Sequence, residues 1–262
     1  AALVMIAIAL LKREKLYLQT VKAGLLVGFF LFNGYSFQTV GLAYTTAANA
    51  GFLTGLSVVL VPLVTVVLDR RWPPAGVMAG AVCAACGLAV LSSADVAGFA
   101  AGDLLVLCCA LFFALHIVFV GRFSPHHPTV WLVAVQIATV AVLSGLCGLL
   151  LEGGIRKLVV ADTGPALLIT ALFATCLAFF TQNYMQRFTS PGHTAIIFAT
   201  EPVFTAIFAV LLLKETLSPN TSLGGALIVA GMLLAEIRNF SWLTKRQRKT
   251  SRQRKRPAGG SE

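Results

Sequence analysis

Two stretches of this sequence, residues 23–94 and 167–238, match each other at a constant offset of 144 positions without a gap. Both stretches are almost entirely apolar. The offset pairs identical residues, which are Gln38 with Gln182, Thr45 with Thr189, Val59 with Val203, Val66 with Val210, Leu68 with Leu212, Gly80 with Gly224 and Gly87 with Gly231. The chain is therefore built from two copies of one apolar unit, and equivalent segments must adopt equivalent structures.

The composition places this repeat in a membrane. The chain has 262 residues, of which 58% are hydrophobic and only 11% are charged, and this is too little charge to cover the surface of a soluble domain. Crossing the hydrocarbon core takes about 20 apolar residues in a helix, and strands cannot satisfy their backbone groups there unless they close into a barrel. We expect nine helical segments, the first of them partial, near 1–11, 22–44, 47–68, 75–94, 103–121, 129–151, 165–187, 193–213 and 221–240.

The charges between these segments predict their orientation. With a cytoplasmic C-terminus, 17 of the 20 Lys and Arg residues fall on the cytoplasmic side, as the positive-inside rule requires. An odd number of crossings separates each segment from its counterpart, so the two repeats are inverted relative to each other. The offset also maps residues 103–121 before residue 1, so we expect the chain to lack about 40–50 N-terminal residues of a ten-helix protein.

Three stretches resemble a known family. The run 47–56 is similar to the fourth helix of EamA-type proteins of the drug/metabolite transporter superfamily, and 201–206 with 212–217 resembles the ninth helix and the loop after it. The run 224–231 looks like the tenth helix, and the resemblance covers about residues 1–238. The first repeat departs from the pattern, because Ser57-Val58 stands where the second repeat has Glu201-Pro202.

The resemblance implies an all-α polytopic membrane protein, a ten-helix bundle of two inverted five-helix repeats around a central cavity. The first repeat would span 1–94, the second 95–240, and a basic, disordered cytoplasmic tail 241–262. The implied function is secondary transport of small metabolites, amino acids or drug-like solutes by alternating access, in the direction of efflux. A non-transporting sensor or assembly partner remains the alternative, followed by a membrane-embedded enzyme, although the sequence shows no catalytic constellation and no Walker A motif.

Polar side chains at membrane depth are the candidate site residues, because they are costly there and usually face the bundle interior or a water-filled cavity. Their alternative role is hydrogen bonding between helices. We expect them to line a solute cavity, and they are Asn33, Gln38, His116, Gln136, Gln182 and Asn183.

Glu201 is the acid that lies well inside a predicted helix, and it is a candidate for proton coupling or gating together with His116. Alternatively, Glu201 has a structural role in its own helix, where it satisfies backbone groups that Pro202 leaves without a partner. The six cysteines lie in apolar runs, so Cys83-x-x-Cys86 is interpreted as packing, and we expect neither a metal nor a cofactor.

The basic tail has the composition of a nucleic-acid-binding segment, but it follows a membrane helix directly. Anionic lipid headgroups are therefore its expected partners, and we expect no nucleic acid. We expect an integral protein of the bacterial inner (plasma) membrane with a small-molecule solute as its other partner. The sequence leaves a monomer and a homodimer both open.

Overall fold

The computed structural model describes residues 1–45, 47–70, 72–92, 101–151, 160–201, 203–204, 207, 211, 219–220 and 222–234, and every regular element among them is helical. A short 3-10 turn, Ser124–His126, precedes α7, and the π-helix Thr170–Leu177 joins α8 to α9. The helices are α1 (Ala2–Leu11), α2 (Leu18–Leu42), α3 (Ala47–Gly55), α4 (Ser57–Asp69), α5 (Ala75–Ser92), α6 (Ala101–Phe123), α7 (Thr129–Leu151), α8 (Val160–Ile169), α9 (Ala178–Met185), α10 (Pro191–Phe198) and α11 (Ser222–Leu234).

Four of the described helical stretches are long and apolar enough to cross a membrane by length and composition, namely Leu18–Leu42, Gly102–His126, Thr129–Leu150 and Gly164–Met185. Shorter apolar helices accompany them, and in the described part of the chain the apolar runs form helices within a few residues of their expected bounds. The prediction of an all-α polytopic membrane bundle is confirmed. The predicted tail, 241–262, lies outside the described residues.

Helix α2 is held between α6 and α7, and glycines set the distance. A Cβ placed on Gly28 would lie 2.7 Å from the carbonyl oxygen of Gln136 on α7, and one on Gly41 would lie 3.2 Å from that of Gly102 on α6. Without side chains at these positions the helix backbones approach closely, which is how membrane helices gain packing energy. Residue numbers on α7 rise along the contacts with α2, so these two helices run parallel. Residue numbers on α6 fall along the contacts with α2, so these two helices run antiparallel.

The pair α5 and α11 carries direct evidence of the inverted repeat. A Cβ on Gly87 would lie 2.7 Å from the oxygen of Gly224, and a Cβ on Gly231 would lie 2.7 Å from the oxygen of Gly80. Each residue of one contact is the counterpart, 144 positions away, of a residue of the other contact. A reciprocal contact of this kind is the mark of a two-fold axis, and the two helices run antiparallel across it. Cys83 makes a third such contact, 3.4 Å from the carbonyl of Leu227, its own counterpart at the same offset.

Two predicted segments, 47–68 and 193–213, are not continuous helices. The first is broken at Leu56, between α3 and α4, and the second at Ala199 and Thr200, directly after α10. At the second break the sequence has Pro202, which has no N–H to donate to the carbonyl four residues earlier. Gly55 lowers the helix propensity at the first break.

The two breaks have the same backbone hydrogen bonds. Leu56 donates to Leu53 at 3.2 Å, and its counterpart Thr200 donates to Ile197 at 3.0 Å. The oxygen of Leu56 then accepts from the two residues at 59 and 60, at 2.9 and 3.1 Å. The oxygen of Thr200 accepts from those at 203 and 204, at 2.9 and 3.2 Å. Both repeats therefore form the same local 3-10 turn at the same place.

Candidate functional site

Four of the six predicted cavity residues lie on the neighbouring helices α6, α7 and α9. His116 on α6 is 3% exposed, and Gln136 on α7 is fully buried. The Nε2 atom of His116 lies 3.3 Å from Oε1 of Gln136, and the imidazole packs edge-on against Phe179 of α9 with ring centroids 5.9 Å apart. The two side chains belong to antiparallel helices joined by a short turn, so the hairpin itself brings them together.

Helix α9 contributes amides to the same region. Asn183 is fully buried, and its Nδ2 donates to the carbonyl of Phe179, one turn earlier, at 2.9 Å. Gln182 donates to Oε1 of Gln186 at 3.4 Å, and Gln186 donates across to the carbonyl of Ile117 on α6 at 3.1 Å. Gln186 is 2% exposed and was not among the predicted residues. Gln186 follows Gln182 by four residues, and residues at i and i+4 share a helix face, so this spacing could have identified Gln186 as a member of the same site. We call His116, Gln136, Gln182, Asn183 and Gln186 the amide cluster.

The amide cluster has hydrogen-bonding capacity that it does not use internally. Nε2 of Gln136 and Oδ1 of Asn183 are buried, and neither has a partner among the described residues. A buried polar atom without a partner costs free energy, so such atoms call for a ligand, a water molecule or a functional explanation. One is a donor and the other an acceptor, and neither carries charge. The amide cluster can therefore bind neutral hydrogen-bonding groups, and the role of its residues in a solute cavity remains a prediction.

The remaining predicted cavity residues, Asn33 and Gln38, lie on α2. Nδ2 of Asn33 donates to the carbonyl of Phe29 on the same helix at 2.8 Å, which is a local bond of one turn. Gln38 is half-buried about one turn before the end of the helix. Asn33 thus satisfies one donor on its own helix, and the role of both side chains in a cavity stays a prediction.

Glu201 lies directly after the second break and is exposed. Tyr35 on α2 is 41% exposed and packs edge-on against Phe113 of α6, with ring centroids 5.5 Å apart.

Polar contacts also join the ends of the helices. Asp69 at the end of α4 forms an ion pair with Arg122 at the end of α6, and Thr45 donates to the carboxylate of Asp103 at the start of α6. In the turn between α6 and α7, Nδ1 of His127 lies 3.0 Å from Oγ1 of Thr20. Burial, and then repulsion from the adjacent His126, lowers the pKa of His127 below its ordinary value.

The described residues hold no group of three or more His, Cys, Asp or Glu side chains that could bind a metal ion. Cys83 and Cys86 both lie on α5, and Cys83 contacts a backbone carbonyl of α11. This contact of Cys83 belongs to the packing of the two helices.

A polytopic helical bundle with inverted repeats, broken helices and buried polar side chains defines a class, that of membrane transport proteins. Comparison with known proteins narrows the class. The chain belongs to the EamA-like transporter family, whose sequence model matches residues 1–93 and 100–236. It is a membrane transporter, surrounded by lipid and acting on a small-molecule solute, and this family membership points to transport rather than catalysis.

Individual relatives agree. An uncharacterized transporter of Archaeoglobus fulgidus is 35% identical over 218 residues, which are 83% of this chain and 69% of that protein. A second uncharacterized transporter of the same organism is 27% identical over 212 residues, or 76% of this chain and 70% of the relative. A solved crystal structure superposes with a TM-score of 0.76 at 24% identity and covers 90% of this chain and 83% of its own. This last likeness concerns the fold alone.

Proposed function

We propose that this protein is a secondary transporter that moves small metabolites, amino acids or drug-like solutes out of the cell by alternating access. The observation that carries the proposal is the helix break that recurs at equivalent positions, Leu56 and Thr200, in the two repeats. Discontinuous helices in corresponding positions of inverted repeats are the usual surroundings of a transporter's solute site.

The breaks support alternating access for a geometric reason. A 3-10 turn inside a helix is a point where the two half-helices can change direction without loss of a full turn of hydrogen bonds. Because the repeats are inverted, the same bend that opens one side of the membrane in the first repeat opens the opposite side in the second. Two equivalent breaks thus provide two equivalent conformations with opposite access.

The proposed site combines the predicted residues with their surroundings. The amide cluster offers neutral hydrogen-bonding groups between α6, α7 and α9, and Glu201 at the second break is the candidate for proton coupling or gating. Asn33 and Gln38 on α2 complete the set of cavity candidates. We propose that these seven side chains, together with Glu201, form the solute site.

The topology is proposed from the charge distribution. We place the first repeat at 1–94 and the second at 95–240, with the C-terminus cytoplasmic in a bacterial inner membrane. The basic residues of 241–262 would contact anionic headgroups.

Transport is tested with purified protein in liposomes. We expect flux of at least one solute from a broad panel of metabolites, amino acids and drug-like compounds, driven by a solute or proton gradient. Everted vesicles report the direction, since an efflux protein accumulates solute inside them. Protein-free liposomes are the control. Absence of flux across the whole panel, at several imposed pH gradients and with correctly inserted protein, would favour a non-transporting sensor instead.

A further inference from the structure

Gln136 and Asn183 of the amide cluster each leave one amide atom without a partner among the described residues, and contacts of the other amide atom hold both side chains in place. Oε1 of Gln136 lies 3.3 Å from Nε2 of His116, so the donor Nε2 of Gln136 is the atom left over. Nδ2 of Asn183 donates to the carbonyl of Phe179 at 2.9 Å, so the acceptor Oδ1 is left over. The amide cluster therefore holds one donor and one acceptor in set orientations before a ligand binds.

Phe179 of α9 connects these two side chains. Its ring packs edge-on against His116, the partner of Gln136, with ring centroids 5.9 Å apart, and its backbone carbonyl is the partner of Asn183. Phe179 also packs against the buried apolar cluster that contains Val133, three residues before Gln136 on α7. The unpartnered donor and the unpartnered acceptor thus belong to one region between α6, α7 and α9.

Burial makes the two unpartnered atoms energetically unfavourable. The side chains of Gln136 and Asn183 are both 0% exposed, so bulk water does not satisfy these atoms. A buried polar atom without a hydrogen bond costs free energy, and a group that bonds to both atoms recovers that cost. Hydrogen bonds are also stronger in such a region than at the protein surface, because the surroundings have a low dielectric constant. A ligand group that matches both atoms is therefore favoured here.

Charged side chains lie away from this region in the described helices. The sequences of α7 and α9 contain no Asp, Glu, Lys or Arg. On α6, Asp103 and Arg122 are about 20 and 9 Å along the helix from His116, and each is bonded near the end of another helix. A charged ligand group would be buried in the amide cluster without a counter-ion, which is strongly unfavourable. The amide cluster therefore selects for an uncharged group.

We propose that the amide cluster binds an uncharged carboxamide group of the transported solute, with Gln136 and Asn183 as the two residues that recognise it. A primary amide presents a carbonyl oxygen and an N–H on the same edge. Its oxygen accepts from Nε2 of Gln136, and its N–H donates to Oδ1 of Asn183. A carboxylate offers acceptors alone and an amidinium donors alone, so neither satisfies both atoms. This inference rests on the proposed transport function and specifies its substrate class.

The test uses three probes of the same shape, namely benzamide, benzoate and benzamidine, and measures equilibrium binding to the purified full chain at neutral pH. We expect benzamide to bind at least tenfold more tightly than the anion and the cation. Gln136→Glu replaces the unpartnered donor by an acceptor of the same shape. It should weaken benzamide binding at least tenfold and shift the preference to the benzamidine cation, which has donors for both oxygens.

Two further variants complete the test. Gln136→Met keeps the length of the side chain without charge, so it should weaken benzamide binding at least tenfold without the shift to benzamidine. Gln19→Glu makes the same change as Gln136→Glu at an exposed position of α2, and this matched control should leave all three affinities unchanged.

Two results would overturn the proposal. The first is wild-type protein that binds the three probes alike or binds none of them, as expected if the amide cluster holds a water molecule alone. The second is Gln136→Glu or Gln136→Met protein that elutes as the wild type does in gel filtration and keeps its affinity for benzamide.

The site and the transport function are tested separately. Benzamide binding that depends on Gln136, without flux of any solute in liposomes, would sustain the site and refute transport. Flux that Gln136→Glu leaves unchanged for every transported solute would sustain transport and refute the site.

Discussion

The reciprocal glycine contacts of α5 and α11 predict that Gly87→Ala and Gly231→Ala destabilise the protein equally. The new Cβ at 87 would lie 2.7 Å from the oxygen of Gly224 and 2.9 Å from the nitrogen of Ile228. The one at 231 would lie 2.7 and 2.9 Å from the equivalent atoms of Gly80 and Ala84. All four neighbours are backbone atoms, which cannot rotate away as the end of a side chain can.

The magnitude follows from the shift that relieves the clash. Ordinary contact begins at 3.4 Å, so the two helices must separate by about 0.7 Å, the difference from 2.7 Å. A gap of 0.5–1 Å forfeits about a quarter to a half of the dispersion energy of the atoms it separates. Overpacking of this kind costs about 1–3 kcal/mol, and we expect that loss in the free energy of unfolding for each variant.

The assay is equilibrium unfolding of purified protein in detergent micelles, with Gly225→Ala as the matched control. A Cβ at Gly225, on the same helix, meets Val203 at an ordinary 3.7 Å, and alanine favours a helix by about 1 kcal/mol over glycine. This control should be neutral or stabilising. The double variant of 87 and 231 should lose less than the sum, by about 0.5 kcal/mol or more, because the first substitution has already separated the helices. Additive losses, or losses no larger than in Gly225→Ala, would refute the shared two-fold contact.

Three further predictions concern the breaks, the amide cluster and a loop histidine. Gly55→Ala favours a continuous helix by about 1 kcal/mol, and its Cβ would also lie 2.7 Å from Cδ1 of Leu88, so it should slow liposome flux. Gly51→Ala, whose Cβ would meet nothing within 4 Å, should leave flux unchanged, and equal rates in both variants would count against a hinge. Replacing His116 or Gln136 by Leu should each destabilise the protein, and a double-mutant cycle by unfolding should give a coupling of about 0.6–1.7 kcal/mol, with zero coupling as the contrary result. The folded-state pKa of His127 is lowered, so stability should fall as pH decreases through and below its ordinary value of about 6.5, and melting curves of His127→Gln should lose that part of the pH dependence.

Much of the fold follows from the sequence because lipid leaves few alternatives. Apolar runs of sufficient length must be helices there, and the 144-residue offset identifies which helices are equivalent. The contact of Cys83 with Leu227 repeats that offset in space. Gly24 and Gly28, four residues apart, were interpretable as a packing face, and both lie against α7.

The breaks could not be predicted from hydropathy. Residues 47–68 and 193–213 are both predominantly apolar, and a 3-10 turn changes hydrogen bonding without changing hydrophobicity. Similar spacing also misleads. Gly51 and Gly55 are four residues apart, as a packing pair would be, yet a Cβ on Gly51 would meet nothing within 4 Å.

The site was accessible from the sequence one residue at a time but not as an arrangement. His116 and Gln136 were each predicted from polarity at membrane depth, whereas their hydrogen bond depends on the register of the α6–α7 hairpin. Trp131, near the start of α7, is 8% exposed and donates to the carbonyl of Glu14 at 2.8 Å, because the loop before α2 folds over it. Contacts between distant segments are set by packing, which local patterns do not encode.

The two repeats share their backbone and differ in their side chains, and this difference decides where selectivity can arise. Corresponding hydrogen bonds at the two breaks differ by 0.2 Å or less, so bending should cost a similar amount of free energy in either repeat. A conformational change alone then treats both halves alike and cannot select a solute. The side chains around the breaks do differ: Thr54 and Ser57 of the first repeat correspond to Phe198 and Glu201 of the second. Selectivity for a solute therefore has to arise from side chains that the two repeats do not share.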